Sequence, residues 1–301
     1  MTDLADLFPG FQSHWIPVEI GKIFARSGGK GPPLLLLHGF PQTHVMWHRL
    51  APALAERFTV VAMDLRGYGW SSAPKGDGGT EVYSKRAMGQ DAVAVMHALG
   101  HARFAVVGHD RGARVSYRLA LDHPGRVERL ALLDIMPTAT MWDTMDAKRA
   151  LQVYHWSFLA QPEPVPERLL TADPLPWLDH TLASWTKAKD LSGFDARALA
   201  HYRAFFNNPD RIHATCEDYR TGATVDPAQD RADIAAGTRI LCPTHVVWGA
   251  AGIPAAGSSP LDTWRAGLAP QATGVSVDAG HFVAEENPQA TLAALLPFLT
   301  A

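Results

Sequence analysis

Residues Phe104–Ala120 read FAVVGHDRGARVSYRLA. Phe104–Val107 is a short apolar run of strand type, and Ala113–Leu121 carries a helical pattern. Between them lies Gly108-His109-Asp110-Arg111-Gly112. A strand, a tight turn and a helix, with glycines flanking one central residue, make an elbow that holds that side chain out at the carboxyl edge of a sheet. The glycines permit a turn that a Cβ would obstruct. The residue on display here is Asp110.

A carboxylate at such a position selects a chemistry. Attack on an acyl carbon would give an anhydride with little gain. Attack on an sp³ carbon bearing a leaving group, or on an epoxide, gives an ordinary ester that water can split. The expected substrate is therefore an alkyl electrophile.

Outward from the elbow, further apolar runs follow the same rhythm. Pro33–Leu37 ends in His38-Gly39-Phe40-Pro41, Phe58–Met63 in Asp64-Leu65-Arg66-Gly67, and Leu130–Leu133 at Asp134. Thr244–Trp248 and Gly274–Val277 complete the set, the last ending in Asp278-Ala279-Gly280-His281. Helical patterns at Met46–Glu56, Lys85–Leu99, Asp262–Leu268 and Gln289–Leu299 alternate with them. This alternation predicts an α/β fold with a mostly parallel, doubly wound sheet. Ligands bind such sheets beyond the carboxyl ends of the strands, where His38, Asp64, Asp110, Asp134 and His281 all fall. From about Pro137 to Gln229 the rhythm gives way to proline-punctuated helical pieces. The expected organisation is a core formed by residues 1–136 and 230–301, with a helical cap at 137–229 inserted between core strands.

The chain has 301 residues, 47% hydrophobic and 19% charged, enough for a sizeable core. A net charge of −3 without a basic stripe argues against nucleic acid or an anionic membrane as partner. The first residues carry no secretory pattern, and no apolar run approaches the roughly 18 residues of a membrane span. Cys216 and Cys242 stand far apart without metal-ligand spacing, which suits reduced thiols in the cytoplasm.

Splitting the ester needs a base. Of fourteen histidines, His281 has the position and chain order for it, following a late strand near the C-terminus. A carboxylate must orient the imidazole. The loop Trp248–Gly252 offers no acid, so Asp134 is the candidate and Asp278 the runner-up. The main chains of Phe40 and Arg111 are the expected oxyanion donors. Arg111 and Arg114, three apart at the start of the elbow helix, form a candidate carboxylate site, pointing to an acid substrate such as a 2-halo acid. Arg118 reads as a structural ion-pair residue. A departing halide needs donors, and the cap offers His155, Trp156, Trp185 and Tyr219.

Several strings resemble the haloacetate dehalogenase family of α/β-hydrolases: HGFPQTHVMWHR at 38–49, GHDRGARVSYRLALDHPGR at 108–126, YHWSFLAQP at 154–162, CEDYR at 216–220 and AGHF at 279–282. The resemblance implies the α/β-hydrolase fold and displacement of fluoride from fluoroacetate by Asp110. Arg111 and Arg114 would hold the substrate carboxylate. His155, Trp156 and Tyr219 would take the halide, and Trp185 would line the pocket. His281, backed by Asp134, would hydrolyse the ester to glycolate. It also implies a homodimer and no metal or organic cofactor. The stretches Ala139–Lys148 and Gly252–Ser259 match none of its motifs. The alternative is an epoxide hydrolase with the same Asp–His–Asp triad, which usually presents two cap tyrosines. A ligand receptor on a hydrolase frame is a third reading, disfavoured by the complete triad.

Overall fold

The computed structural model describes residues 4–76, 81–252 and 259–301. Residues 77–80 and most of the Gly252–Ser259 stretch lie outside them.

Eight strands form one sheet: β1 (Gln12–Val18), β2 (Gly21–Gly28), β3 (Pro33–Leu37), β4 (Thr59–Met63), β5 (Phe104–His109), β6 (Val127–Leu133), β7 (Thr244–Gly249) and β8 (Thr273–Val277). Their order is β1-β2-β4-β3-β5-β6-β7-β8. Pairing is antiparallel across β1-β2-β4 and parallel from β4 to β8. The central strands are buried on both faces, which is why they read as unbroken runs such as Leu34–Leu37. β1 and β2 escape that signature. They form an edge hairpin with half-exposed residues, and polar and apolar side chains mix along QSHWIPV and GKIFARSG.

The described helices are α1 (Ala51–Ala55), α2 (Lys85–Ala98), α3 (Asp110–Asp122), α4 (Thr138–Asp143), α5 (Ala147–Gln152), α6 (Tyr154–Leu159), α7 (Val165–Ala172), α8 (Pro174–Trp185), α9 (Ala196–Phe206), α10 (Pro209–Ala223), α11 (Val225–Ala236), α12 (Pro260–Ala266), α13 (Val283–Glu286) and α14 (Pro288–Thr300). Eight of them, α4–α11, lie between β6 and β7, with no strand among them. The expected boundary after Gln229 falls inside α11, so a division at that point would cut a helix. The helix expected over Met46–Glu56 is instead a 3₁₀ turn at His44–Trp47 followed by α1, with Pro52 in the first turn of α1. Pro52 has no N–H to continue a ladder from upstream, so a helix can start there but not pass through. No described helix is long and apolar enough to cross a membrane.

Strand register sets the geometry that follows. His109 of β5 pairs with Leu133 of β6. The next residues, Asp110 and Asp134, therefore leave adjacent parallel strands at one level.

Candidate active site

Asp110 sits at φ 47° and Asp134 at φ 52°, both in the left-handed region that non-glycine residues rarely enter. At the elbow the flanking glycines are obligatory. A Cβ on Gly112 would lie 2.3 Å from the His38 carbonyl oxygen, and one on Gly108 would lie 2.3 Å from Ser116 Oγ. The strained turn aims Asp110 into a cleft, where its Oδ1 accepts a hydrogen bond from Phe40 N at 2.9 Å.

His281 completes the arrangement. Its Nδ1 donates to Asp134 Oδ2 at 2.6 Å. Asp134 Oδ1 accepts from Gly249 N at 2.9 Å, so the acid is fixed on both oxygens. His281 Nε2 lies 3.8 Å from Asp110 Oδ2 and has no hydrogen-bond partner among the described residues. A buried imidazole nitrogen left open beside a carboxylate is a place for a water or a reacting atom. Burial opposes a charge on His281, but the hydrogen bond and charge of Asp134, with Asp110, prevail and raise its pKa above the ordinary histidine value. Burial also works against the Asp110 carboxylate. The charges of His281, Arg111 and Arg114 outweigh it and hold Asp110 below the usual range.

Asp278, the runner-up acid, is solvent-exposed and pairs with Lys187. His38 and Asp64 do not join the triad. Asp64 accepts from the backbone N–H groups of His44 and Trp70 and ties two loops together.

The triad opens on a cavity of about 20 Å³ lined by Asp110, Arg114, His155, Trp156, Trp185 and His281, among others. By this measure there is room for one or two water-sized groups. Trp185 also lines a wider groove of about 370 Å³, together with Tyr154, His180, Ser184 and Lys189. It thus stands between the cavity and the outside.

The two arginines differ. Arg111 Nε and Nη2 donate to the Asp218 carboxylate at 3.1 and 2.7 Å, and its guanidinium lies 4.3 Å above the Tyr219 ring. Of its nitrogens, Nη1 has no partner among the described residues. Asp218 also accepts from Lys85 and from Tyr68 Oη. Burial raises the Asp218 pKa, but Arg111 and Lys85 pull it well below the carboxylate range. Among the described residues Arg114 Nη1 meets only neutral groups, Met136 O at 3.1 Å and Thr138 Oγ1 at 2.9 Å, while its guanidinium packs 4.7 Å from the Trp156 ring. Arg118 pairs with Asp122 and Asp233, as an ion-pair residue should.

His155 and Trp156 come from α6, Trp185 from α8 and Tyr219 from α10. The His155 ring lies 5.5 Å from that of Tyr219 and 4.4 Å from that of Trp185. Burial pushes the His155 pKa down to about 3, leaving a neutral imidazole despite the pull of Asp110. Neither the His155 nor the Tyr219 side chain has a hydrogen-bond partner among the described residues. No described cluster of histidine, cysteine or acidic residues could hold a metal.

Sequence reasoning missed the groups behind the site. Asp218 and Lys85 sit in the interior without a signal beyond an acid on the buried face of a helix. His109 is held by a bond from its Nε2 to the His281 carbonyl at 2.9 Å, and burial keeps it neutral with a pKa near 3.

An Asp elbow, a parallel sheet and a helical segment over the strand ends define a class, and the chain belongs to the α/β-hydrolase family: the model of the alpha/beta hydrolase fold matches residues 32–288. Within that family it is 42% identical over 294 residues to a fluoroacetate dehalogenase from Burkholderia sp., covering 98% of this chain and 95% of the relative. It is 31% identical over 294 residues to a soluble epoxide hydrolase from Corynebacterium sp., covering 96% and 94%. The crystal structure of an α/β hydrolase from Nostoc sp. superposes with a TM-score of 0.94 at 50% identity, covering 97% of this chain and 99% of that one.

Proposed function

We propose that this protein hydrolyses the carbon–halogen bond of short 2-halo acids, with fluoroacetate as the principal substrate. Asp110 Oδ2 attacks the α-carbon from the side opposite the halogen; a C–O bond forms as the C–F bond breaks, and fluoride leaves with the electron pair. His155, Trp156 and Tyr219 donate hydrogen bonds to the departing ion, replacing water that a small anion gives up only at high cost. Arg114 holds the substrate carboxylate, with Arg111 Nη1 as the further donor. His281 then takes a proton from water, which attacks the ester carbonyl of Asp110 while Phe40 N and the main chain of Arg111 stabilise the oxyanion. As that adduct collapses, the C–O bond to the α-carbon's oxygen breaks, His281 returns its proton to that oxygen and glycolate leaves; loss of the water's second proton to solvent restores the Asp110 carboxylate. The helical segment at 137–229 acts as the cap that closes this site.

The observation that carries the reading is a carboxylate nucleophile sharing a very small cavity with an arginine whose partners are all neutral. The similarity to the Burkholderia dehalogenase supports it. The Corynebacterium relative keeps epoxide hydrolysis as the second reading. Against that second reading, Tyr202 is spent on Glu285, with its Oη 3.0 Å from Oε1, and Tyr154 lines the outer groove. Tyr219 is then the one cap tyrosine placed near Asp110, and a pair is missing. A fluoride-electrode assay on fluoroacetate, beside chloroacetate and styrene oxide, decides between them. Turnover of the oxide without halide release from either acid would overturn the dehalogenase reading.

A further inference from the structure

A chain of buried hydrogen bonds runs from Arg114 away from the cavity. Arg114 Nη1 donates to Thr138 Oγ1 at 2.9 Å, Thr138 Oγ1 lies 2.8 Å from Tyr117 Oη, and Tyr117 Oη lies 2.8 Å from Asp230 Oδ2. All four side chains are at most 2% exposed. The directions follow from chemistry. A guanidinium only donates and a carboxylate only accepts, so Thr138 must give its hydrogen to Tyr117, and Tyr117 must give its own to Asp230.

Asp230 is otherwise hard to account for. It is a buried carboxylate with no cation within ion-pair distance among the described residues. Arg118, on the next turn of α3, is taken by Asp122 and Asp233. The other donor to Asp230 is Ala139 N at 3.1 Å, at the start of α4. Burying a carboxylate without a cation is costly, and here two neutral donors offset that cost.

The structure assigns to Asp230 a positioning role: through Tyr117 and Thr138 it fixes the plane of the Arg114 guanidinium so that its free edge faces the substrate carboxylate. This rests on the reading of Arg114 given above. With Nη1 held by Met136 O and Thr138 Oγ1, the fork has one orientation, and Nε and Nη2 remain unspent. A pre-oriented fork loses less freedom on gripping a carboxylate. That grip is equally present before and during displacement, so the relay is expected to act on KM more than on kcat.

Fluoride release by wild type, Tyr117→Phe, Thr138→Val and Thr138→Ser tests this, each variant being checked by thermal melting. Tyr117→Phe cuts the relay and leaves the Asp230–Ala139 contact in place. Tyr117→Phe and Thr138→Val should raise KM for fluoroacetate about 5- to 10-fold, with kcat changed by less than about 3-fold. Thr138→Ser, which keeps the hydroxyl, should restore KM. In an Arg114→Ala background, Tyr117→Phe should add nothing, because the relay then has no terminus. An unchanged KM in the folded variants, or an equal loss in the Arg114→Ala background, would overturn the relay while the dehalogenase reading stands. A wild type that releases no halide from any halo acid would remove that reading and the relay with it.

Discussion

The floor and the roof of the cavity are built by different means. Asp110 and Asp134 follow their core strands directly and leave β5 and β6 at one level by parallel register, while His281 stands on the loop after β8 and is tied to Asp134 through its Nδ1. His155, Trp156, Trp185 and Tyr219 come from three helices of the α4–α11 segment, held by ring packing and by the buried Arg111–Asp218–Lys85 cluster. A backbone register has few alternatives, whereas side-chain packing between helices has many. The floor is therefore the fixed part of the cavity, and the roof is the part that can change without disturbing it.

If that division is right, damage to the floor should abolish chemistry. Asp110→Asn should reduce defluorination by about 10⁴-fold or more, measured by fluoride electrode. His281→Asn should still release one fluoride per site and then stop, with an adduct of about 58 Da on Asp110 in the mass spectrum from the trapped glycolyl ester. Continued turnover by either variant would break the assignment of the floor.

The two arginines at the seam of floor and roof should separate. Arg114→Ala should raise KM for halo acids by about 10²-fold at nearly unchanged stability, since its protein partners are neutral. Arg111→Ala leaves Asp218 buried with a partner removed and should destabilise the fold by about 3 kcal/mol, read from chemical denaturation. Lys85 remains on Asp218 and limits that loss.

A smaller effect sharpens the electrostatic side. His281 must be neutral to take a proton, and its pKa is raised by Asp134 and Asp110 against burial. The rate of ester hydrolysis should therefore fall as pH drops through a midpoint above 6.5, the ordinary histidine value. Ester formation removes the Asp110 charge, so the midpoint seen in kcat should lie below the His281 midpoint of the free enzyme titrated by NMR.

The smallest effect lies outside the cavity. Burial pushes Glu285 from 4.5 up to about 8, opposed by its bonds from Tyr202 and Gln42 and by the charge of Arg49. Its raised pKa gives a stabilisation that is full below about 4.5 and lost as pH rises through about 8. Glu285→Gln should flatten the fall of Tm between pH 5 and 8.5 and exceed wild type by about 2–4 °C at the upper end.

The sequence determined the frame and the floor. Unbroken apolar runs mark strands buried on both faces, and paired glycines mark an elbow that only they can make, so Asp110 and its strand-end partners were legible one segment at a time. The edge hairpin β1–β2 was not, because exposure dilutes its alternation. Nor was the separation of Arg111 from Arg114: three residues apart on one helix, they look alike until Asp218, 107 positions away, takes one and leaves the other. Asp230, Tyr117 and Thr138 likewise meet only after α11 packs beside α3 and α4. Local pattern records what a residue does to its neighbours along the chain. Which buried charge finds which partner is decided by contacts between distant segments, where low polarity makes each pairing count, and that information exists only in the folded structure.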